Sequence, residues 1–309
     1  IADVPYPPYQ NFLERFPETS PFQRSPDDYD LIVPMLATHW GVTERDKYVH
    51  KTAVVFYEPG EGRWQDVAAV AGATPEAEKI GADVKIHSVR FGIDTELFCP
   101  YPMVREDELL HVGVVGTHIN PRRQILEGMV PLFNLEGVRF MFFPSNWDNN
   151  GGDLNKVGGK EFLKRVVTGG KYWPGLPNIY NRMDVLVRID NSFGYSFPTL
   201  EAAACSVPVI CTYQGIDHFV TKAGGGILLL PDPPHEKRWP FNEEPQLVRK
   251  LKEAIEFMRD NPEKRKEMGR KGRREIEKNW QWKDHIVNWR EFFREGVANA
   301  RKGAISGTA

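Results

Sequence analysis

Residues Asp190–Ile210 read DNSFGYSFPTLEAAACSVPVI, and this stretch decides the fold. An apolar strand is expected to end near Arg188. A glycine-containing loop follows, and a helix is expected from about Pro198 to Cys205, with proline in its first turn. A strand, Val207–Cys211, comes next. A strand that leads through a loop into a helix start is the geometry of an anion site. First-turn amides have no partner inside the helix, and the helix dipole favours negative charge there. Pro198 removes one donor. Phe197 and Thr199 can still offer amides, and Ser196 and Thr199 add hydroxyls. Glu201 lies about one turn in, on a face able to reach a ribose diol. The plainer reading of Glu201 is a first-turn acid favoured by the dipole, and both readings stand at this point.

The same alternation runs outward on both sides. Leu110–Val115 is a strand closing at Gly116, Arg123–Leu135 is helical, and Val138–Phe143, Asp184–Val187 and Ile227–Leu230 are further strands. Earlier in the chain, Leu31–Val33, Ala53–Phe56, Val67–Val70 and Val84–Val89 are strand candidates, and Thr74-Pro75-Glu76 reads as a helix start. Pro5–Pro26 reads as irregular chain. Leu247, Leu251, Ile255 and Met258 recur at helical spacing. Asn261-Pro262 ends that helix and starts another. A last helix carries Trp289, Phe292 and Phe293, and the residues from about Lys302 read as loose. Strands alternating with helices imply parallel sheets covered on both faces, with ligands beyond the carboxyl ends of the strands.

Bulk properties narrow the function classes. A chain of 309 residues suggests two domains, and 41% hydrophobic with 27% charged residues is ordinary for a globular protein. The net charge of −2 argues against nucleic acid as a partner. The basic run Lys264–Arg274 is interleaved with Glu263, Glu267, Glu275 and Glu277 and reads as a solvated helix face. Cys99, Cys205 and Cys211 have neither disulfide-framework nor zinc-ligand spacing, so a reducing, cytoplasmic compartment is expected and no metal site. No run approaches the ~18 apolar residues of a membrane span, so membrane contact is at most peripheral. Ile1-Ala2-Asp3 begins no signal-peptide pattern. No Ser/His/Asp order, HExxH or P-loop lysine motif is present.

Asp190–Ile210 resembles the E-x7-E region of the retaining family-4 glycosyltransferases, the glycosyl transferases group 1, whose usual form is E-G-F-G-x-x-x-L-E-A-M-A-C-G-x-P-V-I. Gly194, Leu200, Glu201, Ala202, Ala204, Cys205, Pro208, Val209 and Ile210 stand in register. Three further segments agree in order. Phe91–Phe98 (FGIDTELF) resembles the G-[VI]-D-x-x-x-F segment that closes the first domain. Val112–Arg123 resembles the first strand and glycine turn of the second. Asp260-Asn261-Pro262 through Trp282 resembles the C-terminal helices, including Met268-Gly269. The likeness runs from about Thr74 to Phe293.

The resemblance implies an α/β protein of the GT-B fold: two Rossmann-like domains facing a cleft, with the first reduced and the C-terminal helix crossing back. The expected divisions are 1–100, 101–280 and a crossover helix with tail at 281–309. It implies a hexosyltransferase-type enzyme (class EC 2.4) that moves a sugar from a UDP- or GDP-sugar to a hydroxyl acceptor with retention of configuration. The acceptor is a glycan, a lipid-linked sugar or a small molecule, no further cofactor is required, and the oligomeric state is left open. By position, Glu201 holds the nucleotide ribose, Arg122 faces the diphosphate, and Gly116 lets backbone approach the donor. The backbone near Ser196, Phe197 and Thr199 cradles the distal phosphate. Arg122 and Glu201 are the catalytic expectation. Gly116, Thr117, His118, Arg122, Arg123, Gly194, Tyr195, Ser196, Phe197, Thr199 and Glu201 line the donor site.

Departures from the family pattern give an alternative. The first Glu of E-x7-E falls on Phe193, the arginine after the strand-1 glycine on Thr117, and a later glutamate on His218 beside Asp217. Arg123 is a candidate to compensate, since its planar fork suits phosphate oxygens. The alternative is a glycosyltransferase-like binding or scaffold subunit with weak or no turnover. Weaker candidates are Asp190 and Asn191 at a strand end, Trp173 as a base-stacking or buried aromatic, and His39 in the first domain.

Overall fold

A computed structural model gives the fold. It describes residues 31, 53–56, 68–72, 85–103, 107–116, 128–144, 167–168, 175–189, 196–212, 217–230 and 245–306. The chain divides into two compact units, Ile93–Gln281 and Ile1–Gly92 together with Trp282–Ala309.

The Ile93–Gln281 unit is built on six parallel strands. They are β4 (Leu110–Gly116), β5 (Val138–Pro144), β6 (Val167–Thr168), β7 (Val185–Arg188), β8 (Val209–Thr212) and β9 (Gly226–Leu229), in the order β6-β5-β4-β7-β8-β9. The chain moves outward from β4 through β5 to β6, then returns to the other side of β4 and moves outward again. That reversal is the Rossmann-type strand order, and its switch point lies between β4 and β7.

Alternation along each strand builds two cores. Val112, Val114, Phe140, Phe142, Val185, Val187 and Ile210 face one side. There they pack against Leu247, Leu251, Ile255 and Met258 of α4 (Pro245–Asp260). Val115, Met141, Phe143, Leu186, Val209 and Cys211 face the other. That side is covered by α1 (Leu176–Asn181), α2 (Phe197–Ala204), α3 (Asp217–Lys222) and α5 (Pro262–Asn279). Leu200 is fully buried, and so are the small Ala202, Ala203 and Ala204, which let the α2 backbone come close to its neighbours. The same economy explains Gly269: a Cβ there would lie 2.0 Å from the Ser206 carbonyl oxygen, so only glycine lets α5 meet the end of α2.

Arg273 of α5 fastens this side. Its guanidinium donates to the carbonyls of Thr95 (3.0 Å), Phe98 (2.6 Å) and Ala204 (2.5 Å), and its Nε pairs with Glu277. Ile93 N–H donates to Trp280 O at 2.7 Å and pairs with Gln281. The start and end of the unit are therefore tied to each other.

In the other unit β1 (Ala53–Phe56), β2 (Ala69–Gly72) and β3 (Ile86–Ser88) form a parallel sheet in chain order. Helix α6 (Trp282–Ser306) returns to this sheet, with Phe292 fully buried and Trp289 nearly so. Asn288, Trp289 and Asn299 donate to the carbonyls of Ser88, Arg90 and Ala68. Among the described residues no helix is long and apolar enough to cross a membrane.

Most sequence-expected elements lie within two residues of the observed ones. Three differences stand out, two of them with plain physical causes. The tail expected to loosen at Lys302 stays helical to Ser306. The helix expected through Leu135 gives way to a 3₁₀ turn at Val130–Leu132, where Pro131 removes a helical donor. Short α1 and α3 went unread because six residues hold too little of a period to register. The strand expected at Leu31–Val33 and the helix start at Thr74 fall on residues outside those described, apart from Leu31, which is in no strand.

Candidate functional site

The switch point fixes where a ligand belongs. Gly116 is the last residue of β4, paired with Pro144 of β5, and β7 ends beside it at Arg188. Helix α2 starts at Phe197, nine residues after the end of β7, at the same carboxyl edge. Gly116, Ser196, Phe197, Thr199 and Glu201 are the sequence-expected site residues that the structure describes. Thr117, His118, Arg122, Arg123, Gly194 and Tyr195 lie outside the described residues. So do His39, Trp173, Asp190, Asn191 and Phe193, while His218 is placed only by its backbone, in α3.

The start of α2 is capped from within. Ser196 is the N-cap, and its Oγ accepts from Thr199 N–H at 3.3 Å. The Ser196 carbonyl accepts from Thr199 N–H at 3.1 Å and from Leu200 N–H at 3.2 Å. The two hydroxyls, Ser196 Oγ and Thr199 Oγ1, lie 2.8 Å apart and are buried. The Thr199 amide therefore closes the helix start instead of pointing outward, and Ser196 is spent on the cap. Phe197 is exposed at the first helical position. The dipole of α2 still directs its positive end to the carboxyl edge of the sheet.

Glu201 is the residue expected to hold the ribose. It sits five residues into α2 and is half-buried. The Tyr180 hydroxyl donates to its Oε2 at 2.5 Å. Burial pushes its carboxyl up to about 7, against a smaller downward pull from that hydrogen bond. The carboxyl thus changes charge near neutral pH, as groups at functional sites often do.

Tyr180 was not found by sequence reasoning. It is fully buried on α1, with its ring 6.2 Å from that of Phe98. Its neighbour Asn181 locks α1 in place. Asn181 Nδ2 donates to the carbonyls of Cys99 and Pro177, and its Oδ1 accepts from Tyr101 N–H at 2.9 Å. The Tyr101 hydroxyl donates to Asn178. One turn beyond Glu201, the Cys205 thiol is pushed up to about 12, chiefly by burial and then by Cys99 and Glu201. It stays a neutral thiol beside the carboxylate. Among the described residues, no three His, Cys, Asp or Glu side chains are grouped to hold a metal ion.

Comparison with known proteins agrees with this architecture. A glycosyltransferase from Rickettsia africae superposes with a TM-score of 0.62 at 11% identity, over 94% of this chain and 79% of that one. Sucrose-phosphate synthase from Thermosynechococcus elongatus gives 0.60 at 18% identity, over 80% and 68%. Anabaena HepE, solved with UDP and glucose, gives 0.58 at 11%, over 91% and 78%. At these identities the likeness is one of fold, the GT-B fold of two Rossmann-like units. No curated protein matches the sequence. The family model described as glycosyl transferase-like matches residues 122–291, more than half of the chain, a span that includes the β7–α2 segment, Glu201 and α5. The chain belongs to the glycosyl transferase-like family.

Proposed function

We propose that the protein moves a hexose-type sugar from a nucleoside diphosphate sugar to a hydroxyl acceptor, with retention of configuration, as a cytoplasmic enzyme. The observation that carries this is the placement of Glu201: one turn into the helix that follows β7, at the strand-order switch, with a carboxyl held near neutrality. The nucleotide ribose bonds to Glu201. The diphosphate lies over Gly116 against the positive end of α2, with Arg122 and Arg123 as its counter-charges. UDP and GDP are the candidate nucleotides. UDP is favoured because HepE is solved with UDP and glucose, and the pneumococcal O-GlcNAc transferase GtfA with UDP and GlcNAc.

In the reaction the acceptor oxygen forms a bond to the anomeric carbon while the bond from that carbon to the diphosphate oxygen breaks. The acceptor proton passes to the departing diphosphate. The protein's task is then to stabilise negative charge on the leaving group, the kind of preorganised electrostatics that dominates many enzymes. That task falls to the α2 dipole and to the arginines. The mechanism requires no metal.

A second reading, a binding or scaffold subunit without turnover, is favoured by Phe193 in place of the first motif glutamate and by the Thr199 amide already closed in the cap. A screen of UDP-, GDP- and ADP-sugars by thermal shift and donor hydrolysis separates the two. Binding with slow hydrolysis supports the enzyme, and binding with none, across varied acceptors, supports the subunit. Arg122→Ala is expected to abolish hydrolysis at saturating donor; full hydrolysis in that variant would remove the proposed leaving-group role.

A further inference from the structure

Glu201 and Tyr180 form a pair that the proposed chemistry does not by itself require. The pair joins two helices, α1 and α2, that lie side by side on one face of the sheet. Each partner is fixed independently. Leu200 and Ala202 to either side of Glu201 are fully buried, which sets the direction in which its side chain leaves α2. Tyr180 is fully buried against Phe98, and Phe98 is held by its N–H to Asp94 O (2.9 Å) and its carbonyl to Arg273 (2.6 Å). Among the described residues, Tyr180 is the side chain that donates to Glu201, and it takes one oxygen, Oε2.

A vicinal diol asks for two acceptor positions in one plane. A carboxylate offers them only when it is ionised and its plane is fixed. A protonated acid turns one oxygen into a donor, and a freely rotating carboxylate loses affinity to side-chain entropy. The Tyr180 hydroxyl works against both losses. Its donated proton favours the ionised form in a buried setting that otherwise favours the acid, and it stops rotation about the last side-chain torsion.

We infer that Tyr180 is a positioning residue of the nucleotide site: its hydroxyl clamps Glu201 Oε2 so that the carboxylate accepts from both hydroxyls of a ribose, which makes the site selective for ribonucleoside over 2′-deoxyribonucleoside diphosphates. The inference rests on the nucleotide-sugar proposal above and adds to it the discriminating chemistry. The surroundings leave the pair as the titrating element. Cys205, on the same helix, stays a neutral thiol well above neutral pH, and Tyr101, behind it, is raised by burial. Arg273 of α5 faces the same stretch and donates to the Ala204 carbonyl. Between about pH 5 and pH 9, Glu201 is therefore the group of this cluster, among the described residues, that changes charge.

The test is calorimetric titration of the whole chain with UDP, GDP and their 2′-deoxy counterparts from pH 5.5 to 8.5, in wild type, Tyr180→Phe and Glu201→Ala. The wild type is expected to bind the ribonucleotide about tenfold tighter than the deoxynucleotide, the size of one hydrogen bond to a charged group. Its affinity is expected to fall as pH drops through about 7, where Glu201 gains its proton. Tyr180→Phe keeps the ring against Phe98. It is expected to lose most of the ribose discrimination and to shift the pH midpoint upward, whereas a merely structural tyrosine would leave both in place. If Glu201→Ala loses the discrimination and Tyr180→Phe keeps it with an unmoved midpoint, the inference is overturned and the nucleotide proposal stands. If Glu201→Ala binds UDP and GDP as wild type does, or wild type binds neither, the proposal for Glu201 falls and the inference with it. Should Tyr180→Phe fail to fold, the wild-type profile decides: equal affinity for ribo- and deoxynucleotide, or a flat pH profile, overturns the inference.

Discussion

The two edges of the six-stranded sheet treat charge in opposite ways. At the amino edge, Asp107 accepts from His111 Nε2 (2.8 Å) and pairs with Arg139 (2.6 Å). Asp184 accepts from His111 N–H (3.0 Å) and pairs with Arg265 (3.4 Å). Every carboxylate in this group closes on a neighbour. At the carboxyl edge, half-buried Glu201 has one described partner, a neutral phenol. The electrostatics follow. Desolvation pushes Asp107 upward, but the hydrogen bonds from His111 and Leu109 N–H and the charges of His111 and Arg139 outweigh it, and its carboxyl lies below the usual range. Burial wins at Glu201, whose carboxyl lies above it. One edge closes its carboxylates on neighbours that hold the fold, and the other keeps a carboxyl that burial holds in its acid form up to about 7.

The largest expected effect breaks the amino edge. Asp184→Ala strands Arg265, about one-sixth exposed, and the His111 N–H. It is expected to lower stability by about 3 kcal/mol in urea unfolding, the scale for breaking a largely buried pair, and to leave nucleotide affinity at its wild-type value. The mirror-image change is Glu201→Ala. It is expected to weaken UDP or GDP binding by about 1–3 kcal/mol by calorimetry without lowering the melting temperature. Loss of stability there would erase the contrast between the edges.

A pH series sharpens it. Glu201 keeps its proton in the folded state up to about 7, whereas an unfolded glutamate loses it near 4.5. Folding thus takes up a proton between these values, so this residue makes stability fall as pH rises from 4.5 to 7. Asp107, depressed, acts in the other direction: its contribution is present above its unfolded value of 3.8 and lost as pH falls through its lower folded value. Glu201→Gln is expected to flatten the first slope and leave the acid limb alone, read by denaturation at stepped pH. The smallest effect is a control on an exposed helix face. Glu253→Ala on α4 breaks an exposed pair with Arg249, and by thermal unfolding it is expected to cost less than about 0.5 kcal/mol.

The sheet was legible in the sequence because its strands are short apolar runs with sharp ends. Leu110–Gly116 shows its bounds in its own residues, and Val112 and Val114 against Gly113 and Val115 already separate the two faces. The helix after β7 was legible from Pro198 and the small residues behind it. The role of Ser196 was not separated from that of a ligand hydroxyl, since Ser before a helical stretch signals a cap and a phosphate cradle alike. Tyr180 left no local trace. It lies 21 residues from Glu201 on a six-residue helix opened by a proline, and only the docking of that helix beside α2 brings the two together. Arg273 was hidden for a similar reason: in sequence it is one more cation in a basic helix, and its three carbonyl partners come from distant segments. Interactions set by tertiary packing are where reading along the chain stops.

The most direct test is a crystal structure of the chain with UDP or GDP bound. The ribose hydroxyls should lie within about 2.6–3.2 Å of the Glu201 carboxylate, with Tyr180 still donating to the same carboxylate and the diphosphate over Gly116. A nucleotide seated elsewhere, or a ribose that leaves Glu201 untouched, would contradict the assignment of this edge as the donor site.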